Sequence, residues 1–272
     1  MLIWLPPSEG KNAPACGPSL SLESLSRPAL TPDRRSVAEA LIALGSGPEA
    51  AVTLKVGARI DLSVNEALMS APCAPASSLF TGVLFEAIEA VTPRAWESAG
   101  AGGISIFSGL FGVLSPADVV PDHRLAMGVS LPGFGVLSLS TWWAPRLDEA
   151  LREEAAGQVV IDARSGPYRA ACKAPWARVW ELRVVREADG KRSVISHDAK
   201  RWRGAVTGTL LASGGYSASE TTECEQALTD AARSVTLHDA RGAEHRVIDV
   251  EFGPEKKAKQ GGTTRALTLV TN

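Results

Sequence analysis

The chain has only four cysteines in 272 residues, spread widely at Cys16, Cys73, Cys172 and Cys224. With no C-x-x-C pair, both a disulfide scaffold and a structural zinc site are poor readings. The four histidines, His123, His197, His238 and His245, lack H-x-x-x-H or related spacing, so no metal is expected on them. No apolar run approaches the roughly 18 residues that a membrane span requires. The opening run Met1 to Leu5 is too short for a secretory signal and lacks its basic flank. These absences lead us to expect a reduced, cytoplasmic protein with no membrane partner and no cofactor. Two enzyme classes are also disfavoured. Pro7-Ser8-Glu9-Gly10-Lys11 superficially suggests a phosphate loop, but the G-x-x-x-x-G-K-S/T frame is missing. Ser108 lacks the G-x-S-x-G elbow of a hydrolase nucleophile, and no His/Asp spacing completes a triad.

What is present is an ordinary globular composition, 45% hydrophobic and 21% charged, able to bury a real core. The net charge of −2 conceals an asymmetry. Between Arg164 and Arg203 there are 11 Lys/Arg against 4 Asp/Glu, so the rest of the chain is acidic. Segregated positive charge on a nearly neutral protein is the usual footprint of an anionic partner, although solvated basic faces would give the same count.

Periodicity predicts a single α+β domain over residues 1–272, a mixed sheet surrounded by helices. Residues 12–32 read as a long Pro/Ser/Gly-rich arm. An amphipathic helix over 33–44 follows, with Thr31 or Asp33 as its cap. Helical patterning returns over 61–69, 83–91 and 93–99, and again from a Thr141 cap to Ala156. Ile104 begins a buried strand, and the wholly apolar Val159-Val160-Ile161 reads as a central one. Arg178 to Arg186 and Ser193 to His197 alternate around Asp189-Gly190, a hairpin signal. A helix over 199–212 comes next, with Gly204 and Gly208 expected to allow close packing on the sheet. Ser217-Ala218-Ser219-Glu220 resembles a capping box for a helix ending near Ser234. Strands at 235–238, 246–252 and 265–270 close the chain, the last two separated by a basic excursion over 256–262.

The most informative segment is Ile106-Phe107-Ser108-Gly109-Leu110-Phe111-Gly112-Val113-Leu114-Ser115-Pro116 through His123-Arg124-Leu125-Ala126-Met127-Gly128. A strand ends at Ser108, Gly109 and Gly112 permit a tight turn or a close approach, and Pro116-Ala117-Asp118 supplies turn chemistry. The segment resembles the signature of the YaaA family of bacterial peroxide-stress proteins. Four other stretches resemble that family in the same order: Met1 to Lys11, Phe80-Thr81-Gly82-Val83, Val159 to Tyr168, and Ala199-Lys200-Arg201-Trp202-Arg203-Gly204. The chain departs from the pattern at His123, where members usually carry Tyr, and at Pro167, where they carry an acid. It also has no clear counterpart of the family's closing segment after Tyr216. The resemblance implies a compact single-domain fold and a role in limiting iron-dependent radical damage. It also implies binding of duplex DNA through a hairpin between helices, for which Leu54-Lys55-Val56-Gly57-Ala58-Arg59 is the nearest counterpart.

Candidate anion- or nucleic-acid-binding residues are Ser8, Lys11, Arg124, Arg164, Tyr168, Lys173, Lys200 and Arg203. Lys200, Arg203 and Thr207 share one helix face near an N-terminus, where orphan N–H groups favour phosphate. Arg164, Tyr168, Arg169 and Lys173 follow a central strand, and loops at strand ends carry ligand groups in mixed sheets. Tyr168 has the ring to stack on a base, or to serve as an ordinary core tyrosine. Three functions compete. The first is an oxidative-stress protein that binds DNA through a basic cleft. The second is an enzyme acting on a nucleobase, nucleotide or other anionic small molecule in the same cleft. For it the candidate catalytic groups are Tyr168 and the lysines Lys11, Lys173 and Lys200, any of which would act as base or imine-forming nucleophile if burial lowered its pKa. The third is an interaction scaffold with a structural basic strip.

Overall fold

The computed structural model describes residues 1–57, 59–195, 198–239 and 241–272. The end of the predicted hairpin strand, Ser196 and His197, lies outside the described residues, as does Ala58 of the helix-flanked hairpin. In chain order the elements are β1 (Leu2–Leu5), α1 (Thr31–Leu44), α2 (Pro48–Leu54), α3 (Ser63–Glu66), β2 (Cys73–Pro75), α4 (Ala76–Leu79) and α5 (Val83–Val91). Then come β3 (Ile104–Ser108), β4 (Gly112–Leu114), β5 (Val119–Pro121), α6 (Leu139–Ala155), β6 (Val159–Asp162), α7 (Gly166–Ala170), β7 (Arg178–Ala188) and β8 (Lys191–Val194). The remainder is α8 (Asp198–Ser213), α9 (Thr221–Ser234), β9 (Thr236–His238), β10 (Glu244–Phe252), β11 (Lys256–Lys257) and β12 (Thr263–Thr271).

The architecture is α+β, built on one mixed sheet in the order β4-β3-β1-β6-β7-β12-β10-β9. Five neighbours, β3, β1, β6, β7 and β12, run parallel, and β4, β10 and β9 add antiparallel edges. Strands β3 and β6 are buried along their whole length, as expected for parallel strands covered on both faces. Because β1, β3 and β6 are adjacent and parallel, their carboxyl ends deliver three loops to one edge: residues 6–12, 109–111 and 163–165. That edge positions the site.

Several local expectations need correction. The helix after Gly135 starts at Leu139, because the Ser138 carbonyl accepts the Thr141 and Trp142 amides. The α9 capping box is formed by Glu220 and Glu223 rather than by Ser217 or Ser219. Patterning over 61–69 yields only α3, and that over 93–99 only a short turn at Ala95–Glu97. Gly204 and Gly208 of α8 face α5, not the sheet. A Cβ on Gly204 would overlap the Leu84 carbonyl oxygen, and one on Gly208 would sit 2.8 Å from that of Ile88. The helix pair is thus packed backbone to backbone. By contrast, the Asp189-Gly190 hairpin forms between β7 and β8 with both turn residues at positive φ, the geometry of a primed turn. The arm over 12–32 is anchored in the core by buried Leu20, Leu22, Leu25 and Leu30.

Candidate functional site

The loop after β1 is stitched to the segment between α4 and α5. Lys11 forms a β-bridge with Phe80, the Thr81 amide donates to the Gly10 carbonyl (3.1 Å), and the Asn12 amide to that of Leu79 (2.8 Å). Gly82, at φ +95°, leaves room for the Ser8 hydroxyl: a Cβ there would lie 2.8 Å from Ser8 Oγ. At the end of β3, Ser108 Oγ accepts the Leu110 and Phe111 amides and so builds the turn into β4. Gly109 allows that turn to press against the Leu125–Met127 backbone, where a Cβ would sit 2.6 Å from the Leu125 carbonyl oxygen. The sharp turn past Ser115 is pinned by Asp118, whose carboxylate accepts the Ser115 and Ser26 amides (2.8 and 2.7 Å).

These loops enclose a cavity of about 630 Å³. Ser8, Lys11, Arg124 and Tyr168 all line it, as do Lys55 and Arg59, which lie between α2 and α3. Its walls include Phe80, His123, Leu125 and Ile60, and its one acidic lining residue is Glu9. Among the described residues neither Lys11, Lys55 nor Arg59 makes an ion pair with a carboxylate, whereas Arg124 pairs with Asp122. Burial and the nearby Arg124 guanidinium push the Lys11 ammonium down from 10.5 to about 8, partly opposed by Asp122 and Glu9. Its Nζ stands 5.6 Å from the Phe80 ring centre.

His123 is fully buried. Its Nδ1 lies 2.9 Å from the Pro121 carbonyl oxygen, which can only accept, so Nδ1 carries the proton. Burial first, then the Lys11 and Arg124 charges, hold the imidazole well below its usual pKa. A neutral His123 therefore keeps an unprotonated Nε2. Burial also raises the Tyr168 phenol, so this ring stays uncharged.

The rim depends on Asn65, a residue that sequence patterning does not single out. It is wholly buried, receives the Arg124 amide on Oδ1 (2.8 Å) and donates Nδ2 to the Arg124 carbonyl (3.1 Å). One side chain on α3 thereby fastens that helix to the Arg124 segment.

The remaining predicted residues lie elsewhere. Arg164 is completely buried, bonded to both oxygens of Asp162 (2.8 and 3.1 Å) and to the Tyr168 and Cys172 carbonyls, and stacked on Trp4 and Phe107. With its donors used internally, it holds the β6 loop rather than a ligand. Lys173 lines a separate groove with Asp162, Arg169 and Thr263. Lys200 is exposed on α8 and is not part of the cavity. Arg203 is half-buried, with its Nε unpartnered, and the Thr207 hydroxyl donates to the Arg203 carbonyl of its own helix (2.8 Å). Nor do the Lys and Arg residues of the 164–203 block line this cavity, to which that block contributes Tyr168. Arg169 and Arg183 pair with Glu181, and Arg192 with Glu187 and Glu251. Arg183 and Arg192 lie on the β7–β8 hairpin and Arg169 on α7, each facing acids of its own neighbourhood. The cleft's charge comes instead from short, scattered motifs. Among the described residues no three His, Cys, Asp or Glu side chains gather as metal ligands, and no helix is long and apolar enough to cross a membrane.

Fold and site together define a mixed-sheet α+β protein with a cation-lined cavity at the carboxyl ends of its central parallel strands, the position open α/β sheets reserve for ligands. Residues 1–227 match the family model described as peroxide stress protein YaaA, and the chain belongs to that family. A UPF0246 protein of Streptomyces coelicolor is 38% identical over 222 residues, covering 79% of this chain and 84% of its own. One from Corynebacterium efficiens is 34% identical over 247 residues, covering 89% and 97% respectively. The family's name supports a role in peroxide stress. Four of the five motifs on which the resemblance was recognised meet at the cavity: the β1 loop, Phe80–Val83, the Ser108–Met127 segment and the β6 loop. The fifth, Ala199–Gly204, serves mainly to seat α8 on α5.

Proposed function

We propose that this chain is a cytoplasmic peroxide-stress protein that binds duplex DNA, with Lys55 and Arg59 on the phosphate backbone and the adjoining cavity open to the strand. The observation that carries this reading is the charge of the cavity: Lys11, Lys55 and Arg59, none ion-paired with a carboxylate among the described residues, beside an Arg124 paired with Asp122 and with Glu9 as the acid in the described lining. Two of those cations are exposed on a turn between helices, where side chains and backbone amides together can meet phosphates. Apolar and aromatic walls beside them suit a base or sugar more than a bare inorganic ion. On this reading protection from iron-dependent radicals comes from occupying the DNA, with no resident iron site required.

The test is the salt dependence of affinity for a short duplex. Each neutralised phosphate contributes a slope of about −0.9 in log K against log salt. The double variant Lys55→Ala/Arg59→Ala is expected to flatten the slope by about 2 and to weaken binding without sequence preference. Undetectable duplex binding at low salt, or an unchanged slope in the double variant, refutes it. An enzyme acting on an anionic substrate in the same cavity is the second reading, favoured by the depressed Lys11 ammonium beside a neutral His123.

A further inference from the structure

Lys11 is held differently from the exposed Lys55 and Arg59. Lys11 instead has its backbone clamped in a bridge to Phe80, its stem half-buried, and its Nζ against an aromatic ring with no carboxylate partner among the described residues. The cavity around it is far larger than one phosphate requires, and falls within the range of small-molecule sites. Beside it stands His123, anchored through Nδ1 to the Pro121 carbonyl, so that its other nitrogen remains a proton acceptor. A positioned amine, a neutral imidazole and apolar walls form an arrangement that reacts with carbonyl carbon.

We propose that the cavity captures an aldehyde carried within a DNA strand, the open-chain sugar of an abasic nucleotide, with the Lys11 amine as nucleophile. The inference rests on the DNA reading above, which delivers the strand. Lys11 Nζ bonds to C1′ as the C=O π bond breaks. One amine proton passes to the former carbonyl oxygen, with His123 Nε2 as the relay, giving a carbinolamine. The hydroxyl then leaves with the second amine proton as water, and a C1′=Nζ imine remains. Amine and aldehyde thus yield imine and water, and nothing is oxidised or reduced. Walls formed by the buried Leu54, Phe80 and Leu125 limit water and favour the dehydration. Burial and the Arg124 charge keep a usable fraction of the amine unprotonated near neutral pH.

The experiment uses the full chain and two labelled duplexes, one with an aldehydic abasic site and one with its tetrahydrofuran analogue, which has no carbonyl. Sodium borohydride delivers hydride to an imine carbon and fixes it as a stable secondary amine. A covalent adduct is expected with the aldehydic duplex only, and peptide mass spectrometry is expected to find it on Lys11. Lys11→Ala and Lys11→Arg should each lower the yield at least tenfold, the arginine variant retaining a charge in place of the amine. Binding of both duplexes without an adduct overturns the amine chemistry alone. An adduct mapped to Lys55 or another lysine, or variant yields within twofold of the parent, overturns it too. Failure to bind either duplex overturns the DNA reading instead.

Discussion

Titrating Lys11 is the most direct check on the electrostatics of the cavity. A depression from 10.5 to about 8 corresponds to about 3 kcal/mol against the ammonium, taking 1.4 kcal/mol per pH unit. At pH 7 such an amine is about one-tenth neutral, against about one part in three thousand for an ordinary lysine. Its reactivity with a small acylating reagent, followed peptide by peptide, should therefore rise through a midpoint near 8, well below the range in which an ordinary lysine loses its proton. The folded chain holds this proton less tightly than the unfolded chain. The group therefore costs stability below pH 8, and the cost is relieved as pH rises from about 8 to 10.5. Two substitutions give opposite signs. Glu9→Gln removes a charge that favours the ammonium and should lower the midpoint. Arg124→Gln removes a repulsive guanidinium and frees Asp122, so the midpoint should rise. A midpoint at or above 10 in the parent, or a rise on Glu9→Gln, would refute the reasoning.

Further outcomes follow from the packing. Asp162→Asn strands the buried Arg164 guanidinium and should cost about 3–5 kcal/mol, read as a loss of melting temperature. Asn65→Ala leaves the Arg124 amide and carbonyl unpaired, a cost of about 2 kcal/mol, and should also weaken duplex binding by loosening the rim. Gly204→Ala forces α8 away from α5 and should destabilise by about 1–3 kcal/mol, with Arg203→Ala as the milder control on the same helix.

Much of the fold was legible because periodicity and turn chemistry agreed. The Asp189-Gly190 hairpin, the central strand at Val159 and the α5 helix all rest on local rules. What failed were inferences about partners. The spacing of Gly204 and Gly208 announces close approach, but not whether a helix or a sheet approaches. The site divides in the same way. Ser8, Lys11, Arg124 and Tyr168 follow or flank apolar strands or stitched loops, and the topology gathers them. Lys200 and Arg203 share a helix face and Lys173 follows a central strand, but helical spacing and order along the chain do not record which way those side chains point. Arg164 is the sharper lesson: an arginine two residues after a buried aspartate at a strand end is poised to pair with it. Asn65 had no signal, since one polar residue in a short helix looks like surface until its backbone partners are known.

The final strand, β12, lies between β7 and β10 and pairs with nine consecutive residues of β7. During synthesis the ladder that completes the middle of this sheet therefore forms only after the other described strands have emerged. Until then roughly thirty ångströms of β7 present open amides and carbonyls, a span set by the rise per residue. Any ribosome-bound form shortened before Thr263 is in that exposed condition, so chaperone dependence and tail trimming should affect this protein more than its interior packing suggests.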